Sequence, residues 1–369
     1  MKNRLFAVCA VAGLVLSLAV AALAHDEKAE TKPGEKVERS LAVDAQAVVT
    51  LCVASGTLKV RGWEKSEIRV RSIDATQIDF RRIEKTRDMS RPPSRIDVMV
   101  LNKSTGINPK FDCRAIADVD MEVPAGATVQ VQTRDGDIVI AGVAGAYAGS
   151  QNGDITIERA TKLVEAGSVG GSISLKDSSG RINLSSAGGG VEAINIRAAS
   201  DDDTFEVGTV SGDIQLDRVS NPKVTVKTVN GTVTMSGPLA KSGSYGFTNM
   251  TGDIILAMPH DASFQLNAKV SDKHDIVSEF NLKYLSDATP PPPPPAKIKT
   301  KTPEAKGKTP TPAQPPEPPK SGPVIAPIVV QKPMPAAAYV LRRVTAVCGT
   351  GDASISVASL GGTVHLKKI

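Results

Sequence analysis

From Val37 onward, apolar and polar residues alternate with a period of two. "VERSLAV" (37–43), "VVTLCVASGTLKVRGW" (48–63), "EIRVRSI" (67–73), "RIDVMVL" (95–101) and "ADVDMEVP" (117–124) each place an apolar residue at every second position. That is the period of a strand with one face buried. Gly56, Gly62 and Pro124-Ala125-Gly126 punctuate these runs as turns. The middle of the chain keeps the texture and adds a repeat. Rungs begin at Gly136-Asp137-Ile138, Gly153-Asp154-Ile155, Gly171-Ser172-Ile173, Gly190-Val191, Gly212-Asp213-Ile214, Gly231-Thr232-Val233 and Gly252-Asp253-Ile254. Their glycines are 17, 18, 19, 22, 19 and 21 residues apart.

Repetition near 20 residues predicts stacked units, each too small to bury its own apolar face. No repeat has a helical period, and the Leu-x-x-Leu-x-Leu frame of leucine-rich repeats is absent. The expectation is an all-β fold, a β-solenoid of stacked short strands. Ile138, Ile155, Ile173, Ile214, Val233 and Ile254 would then form one inward ladder with about 4.8 Å between rungs. The glycines would make φ > 0 corners, with the following Asp, Ser or Thr hydrogen-bonded to local backbone.

After Gly252 the period breaks. "FQLNAKVSD" and "DIVSEFNLKYL" read as two further strands, and six prolines follow at 290–295. The Lys/Pro/Thr-rich run to Pro335 cannot form a core and reads as a disordered insertion. Residues 336–369 are too few for an independent domain, yet they carry Gly351-Asp352-Ala353-Ser354-Ile355 and Gly362-Thr363-Val364. They are expected to return and complete the same sheet, with Gly351 and Ile355 as rung residues. The organisation expected is therefore a signal peptide at 1–24, a flexible leader at 25–36, a solenoid domain at 37–289, an insertion at 290–335 and completing strands at 336–369.

The signal peptide rests on Lys2 and Arg4, the apolar run 5–23 and an Ala22-Leu23-Ala24 signal before His25. No later run reaches the length of a membrane helix. The chain is thus expected to be exported, to periplasm, envelope or extracellular space. Cys52, Cys113 and Cys348 remain after cleavage, an odd number. Cys52 with Cys113 is the candidate disulfide, and three buried thiols are the alternative.

The formal net charge is +5, of which +4 lies between Ala296 and Lys320: lysines 297, 299, 301, 306, 308 and 320 against Glu304 and Glu317. The folded part is near neutral, and aromatic residues make up only 3%. Both facts argue against nucleic acid. A second basic run, Arg81 to Arg95, reads as a solvated loop.

"SGTLKVRGWEKSEIRVRS", "VPAGATVQVQTRDGDIVIAGVAG", the successive Gly-Asp-Ile rungs and "GTGDASISVASLGGTVHLKK" resemble the bacterial putative-adhesin family. The resemblance runs from about Val37 to Ile369, interrupted by an insertion longer than the family's usual one. It implies an exported β-helix-like domain with a non-enzymatic surface or envelope role, and it carries no catalytic residues.

Candidate chemistry is sparse. The repeated Asp invites a calcium column, but calcium β-rolls repeat every nine residues and surround the ion with several oxygens per turn. Here Thr57, Ser172, Thr232 and Thr363 share the Asp position. "SDDDT" (200–204) reads as a solvent loop, and Trp63 as a cap over one end of the stack. No nucleophile elbow, phosphate loop or His-Glu-x-x-His is present. No catalytic residue, metal ligand or cofactor is assigned. The expected partner is an unidentified envelope or surface component, with an anionic polymer or lipid as the candidate for the basic insertion. A polysaccharide-active β-helix enzyme and a purely structural envelope or stress protein are the alternatives.

Overall fold

The computed structural model describes residues 36–83, 90–103, 113–285 and 341–369. The expected signal peptide with its Ala24–His25 junction, the leader up to residue 35, the insertion 290–335 and residues 84–89 of the basic run lie outside the described residues. Within them the chain forms a β-solenoid built from two sheets of 13 and 14 strands.

Seven consecutive coils span 128–141, 145–158, 163–176, 181–196, 204–219, 223–236 and 244–258, each giving one strand to each sheet. Thr128–Asp135 lies in the 14-stranded sheet, Gly136 turns the corner and Ile138–Ala141 lies in the 13-stranded sheet. The chain then turns back into Gly145–Ser150. Every coil crosses in the same sense, so neighbouring coils pair in parallel.

The period-two alternation sets which side chains enter the space between the sheets. Leu58, Ile138, Ile155, Ile173, Val191, Ile214, Val233, Ile254 and Val364 are paired in that order across the 13-stranded sheet. None is more than 2% exposed. Each such aliphatic side chain contributes roughly 1.5–3 kcal/mol of burial, which is how a chain so poor in aromatics sustains a core.

Strand order departs from chain order at both ends. Arg95–Leu101 and Val119–Pro124 form the coil outside Val48–Ser55 and Leu58–Trp63, and the chain then crosses back to begin the coil at Thr128 on the inner side. At the other end, Ala353–Ser359 sits between Ser244–Thr251 and Phe264–Ser271, while Val364–Lys368 sits between Ile254–Met258 and Ile276–Ser278. The last coil in sequence is thus the penultimate coil in space. Antiparallel strands close the ends: Val37–Ala42, Glu67–Ser72 and Gln77–Arg82 at one, Leu341–Cys348 and Lys283–Leu285 at the other. They limit the unpaired edge that a parallel stack would otherwise present.

Two expected rung residues lie elsewhere. Ile355 is in the 14-stranded sheet, beside Tyr245 and Leu266, and Gly351 (φ 80°) belongs to the turn before it. Val364 continues the ladder above Ile254, and Gly362 supplies its corner. Likewise Gly189, not Gly190, occupies the corner of its coil.

Candidate interaction surface

The corner glycines stack on one another. A Cβ on Gly136 would lie 2.1 Å from the carbonyl oxygen of Gly56 one coil below. On Gly153 it would lie 1.9 Å from Gly136 O, on Gly171 2.1 Å from Gly153 O, on Gly212 2.5 Å from Gly189 O and on Gly362 1.8 Å from Gly252 O. No Cβ tolerates such distances from backbone. Close approach, rather than dihedral freedom, therefore selects glycine here: Gly231 and Gly252 have φ of 151° and 116°, whereas Gly136, Gly153, Gly171 and Gly212 have no positive φ.

A buried hydroxyl three residues before the glycine locks several of the corners, whereas Thr133 and Thr228, at the same place before Gly136 and Gly231, make no hydrogen bond through their Oγ1 atoms. Ser168 Oγ donates to Gly153 O of the preceding coil (3.1 Å) and accepts from Gly171 N–H of its own (2.9 Å). Ser150 does the same with Gly136 and Gly153, and Ser186 with Gly171 and Gly189. Asn249 spans Gly231 and Gly252 with its amide, and Ser359 donates to Gly362 O. The sequence signal was available as Ser/Thr/Asn-x-x-Gly. It separates Ser359-x-x-Gly362 from Cys348-x-x-Gly351.

The aspartates after the glycines are occupied too. Asp137 Oδ1 accepts the Asp154 N–H (2.9 Å), Asp154 the Ser172 N–H (2.7 Å), Asp213 the Thr232 N–H (2.7 Å) and Asp253 the Thr363 N–H (2.8 Å). The partner is the next coil and not the local backbone expected from sequence. Asp118 serves Thr57 in the same way across the swapped end (2.6 Å). Ser172, Thr232 and Thr363, at the Asp position of their own coils, donate their backbone N–H groups to the aspartate of the neighbouring coil. Among the described residues, no three His, Cys, Asp or Glu side chains come together as a metal site.

The opposite corner uses no glycine in its middle coils. Arg159, Asp177, Asn195 and Arg218 all have φ between 50° and 56°. Asn195 Nδ2 donates to Asp177 Oδ1, and Arg218 Nε to Asn195 Oδ1. A polar column on the surface compensates for the left-handed backbone.

The remaining candidates resolve as structure. Asp203 of the acidic cluster accepts the N–H groups of Ala199 and Ser200, both at 2.7 Å, and so closes its own loop. Trp63 does not lie over the end of the stack. Its ring carries the Arg69 guanidinium at 4.7 Å and the Lys65 ammonium at 4.9 Å, and its Nε1 donates to Glu67 O. Arg69 and Arg71 in turn bridge Glu38 and Glu122. Cys52 and Cys113 are joined in a disulfide with Cα atoms 4.9 Å apart, which ties the crossover from Leu101 to Val119 onto the 14-stranded sheet. Cys348 is a free thiol donating to Ala262 O, and burial pushes its pKa up.

With the corners occupied, the flat outer faces are what the stack offers a partner. On the 13-stranded sheet charges are mixed and paired, as in Lys176–Glu192 (3.5 Å) and Arg218–Asp217. On the 14-stranded sheet, Lys223, Lys227, Lys269, Lys283 and Arg343 are all exposed near one end.

The sequence profile of the Toastrack DUF4097 family matches residues 49–283. The chain belongs to that family. For this Toastrack chain the match covers the coils of the stack and stops before the closing coil that returns from the insertion. Similar solved structures include a putative cell adhesion protein from Clostridium sporogenes ATCC 15579, at 9% identity and TM-score 0.22, covering 91% of this chain and 100% of that one. Another is a putative adhesin from Parabacteroides distasonis ATCC 8503, at 11% identity and TM-score 0.27, covering 61% and 91%. No curated protein matches the sequence. Among the described residues, no helix is long and apolar enough to cross a membrane.

Proposed function

We propose that this Toastrack protein is an exported, non-enzymatic interaction module of the cell envelope or surface, which displays rigid β faces to a partner. One observation supports this reading above the others. The most repeated polar feature of the chain, the Gly-Asp corner, is engaged in hydrogen bonds between coils, as at Asp213 and Thr232. The repeat therefore serves rigidity, and recognition falls to the faces. A stack in which every coil is bonded to both neighbours presents a long surface that needs little ordering on binding. The basic insertion, with six lysines against two glutamates between 296 and 320, acts as a second tether to anionic polymer or lipid head groups.

The test is retention in the envelope fraction after deletion of 290–335, measured over a salt series. Loss of retention, or a weaker salt dependence, is the expected outcome for the tether. Unchanged, salt-insensitive retention overturns it. Release of reducing sugars from a panel of polysaccharides by the purified protein would replace this reading with an enzymatic one.

A further inference from the structure

We propose that the outer face of the 14-stranded sheet, at the end bearing the intercalated C-terminal coil, binds an acidic polysaccharide. This deepens the interaction-module reading and rests on it, but it places recognition on the folded domain and not on the insertion.

The face is made by six neighbouring strands: Lys223–Asn230, Ser244–Thr251, Ala353–Ser359, Phe264–Ser271, Leu341–Cys348 and Lys283–Leu285. Their alternation turns Val224, Tyr245, Ile355 and Leu266 inward. The central outward positions are small or polar, among them Gly246, Ser356 and Ala358, with Asn267, Thr248 and Thr345 beside them. Where the side chains shrink to Gly246 and Ala358, a depression of about 380 Å³ opens, bordered by Lys269 and Arg343.

The charges are of one sign. Lys223, Lys227, Lys269, Lys283 and Arg343 project from these strands, and no outward position between the strand ends carries a carboxylate. Asp352 and Asp272 lie beyond the strand ends, at the corners. Lys269 stands directly opposite Arg343 in the antiparallel pair. Like charges in that position destabilise a sheet. Among the described residues neither has an ion-pair partner, whereas the adjacent Arg342 reaches Asp275 at 3.4 Å. Elsewhere on the stack, facing charges are matched, as in Lys176–Glu192 and the Arg69–Arg71–Glu38–Glu122 ring. A cationic pair held at a cost to stability is explained by an external anion.

The pattern selects the kind of anion. Lys227 lies in the same row as Lys269, three strands away, so about 14 Å separates them at the usual strand spacing. Cations spread along a shallow trough suit a linear polymer with charge on successive units, not one compact anion. The floor offers hydroxyl and amide groups (Thr248, Ser356, Asn267, Thr345), which exchange hydrogen bonds with sugar hydroxyls. The exposed aromatic of these strands is Tyr284, on the edge strand opposite the inward-facing Ala346, so no row of rings stands beside the lysines to stack nucleobases. The exposed apolar side chains of these strands, Met250, Leu285 and Leu341, lie at strand ends and do not form the continuous apolar surface that insertion into a bilayer needs.

The experiment is calorimetric titration of the full exported chain with alginate (carboxylate), heparin (sulfate) and neutral dextran, and co-sedimentation with phosphatidylglycerol vesicles. Binding of alginate or heparin, weakening as salt rises, and none of dextran is expected. Lys269→Glu with Arg343→Glu should weaken the polymer at least tenfold while leaving circular dichroism unchanged, because both side chains are exposed. Lys59→Glu with Arg61→Glu, on the other sheet, should leave affinity within twofold. Deletion of 290–335 should leave most of the affinity in place. The proposal is overturned if neither polysaccharide binds, if the two charge-reversed pairs are equally harmful, if vesicles bind and polymers do not, or if the deletion abolishes binding that Lys269→Glu/Arg343→Glu spares. In that last case the envelope role survives through the insertion alone.

Discussion

Gly212→Ala puts the corner mechanism under direct load. The added methyl would sit 2.5 Å from Gly189 O, 2.7 Å from Gly189 C and 3.0 Å from Gly190 N, all backbone atoms of the coil below. Ordinary contact begins near 3.4 Å, so the corner must open by about 0.9 Å. The Ser211 N–H to Ala187 O bond, 2.9 Å in the native coil, would then stretch beyond hydrogen-bonding range. Its loss costs about 1 kcal/mol. The residual overpacking adds about 1–3 kcal/mol. Against this, alanine restricts the unfolded chain and returns about 0.4–1 kcal/mol. The net expectation is a loss of about 1–4 kcal/mol. Gly208→Ala is the internal control. It lies on the outer face of the same coil, where a Cβ would meet only Lys227 O, at 3.7 Å. It should be neutral or stabilising by a few tenths of a kcal/mol. Urea midpoints of the two variants, read by far-ultraviolet circular dichroism, decide the matter. The reasoning fails if Gly212→Ala stays within about 0.5 kcal/mol of the parent, or if Gly208→Ala is equally damaging.

Three further outcomes follow from particular bonds. Ser168→Ala leaves the Gly171 N–H and the Gly153 carbonyl of a buried corner without their partner, and should cost about 1–3 kcal/mol in a denaturant titration; a neutral result would mean that solvent reaches the corner. Reduction of the Cys52–Cys113 disulfide releases a crossover closed over a sequence separation of 61 residues; it should lower stability by about 4 kcal/mol, and an unchanged melting temperature under reductant would show that the crossover is held by other contacts. Burial raises the pKa of the Tyr245 hydroxyl, which accepts the Ala240 N–H at 2.5 Å. The unfolded chain therefore releases this proton first. The contribution of Tyr245 is complete below pH about 10 and is lost as pH rises toward its folded value. Tyr245→Phe should flatten that alkaline decline in melting temperature, and an identical pH profile would assign the decline to other groups.

What was legible in the sequence was what repeats. The apolar rungs could be read because a period of two inside a period near 20 leaves one geometry for Ile138, Ile155 and Ile173. The corner was legible in position but not in cause. The Asp and the glycine share a phrase, so a local turn accounted for both. The bonds in fact run to a neighbouring coil, at separations such as the 19 residues between Asp213 and Thr232. The ends were not legible. Chain order predicts spatial order unless some residue says otherwise, and the Gly351 phrase imitates a corner without the hydroxyl three residues earlier. The left-handed corner at Arg159, Asp177, Asn195 and Arg218 lacked the glycines that usually mark such a backbone. The cationic face was hidden for another reason. Lys227, Lys269 and Arg343 are far apart in sequence, and only the intercalated coil brings their strands into one surface.

That intercalation is the feature on which both the fold and the cationic face depend, and one cross-link tests it directly. Gly246 and Ser356 are paired neighbours on the outer face of the 14-stranded sheet, whereas Gly246 and Asn267 have the Ala353–Ser359 strand between them. Cysteines at neighbouring positions fall within the Cα separation a disulfide accepts, and those two strands apart, at about 9.6 Å, do not. In a Cys348→Ser background, Gly246→Cys with Ser356→Cys should form a disulfide on mild oxidation, seen by peptide mass mapping, and Gly246→Cys with Asn267→Cys should not. Efficient cross-linking of the second pair and none of the first would place the C-terminal coil at the end of the stack, contradicting the account.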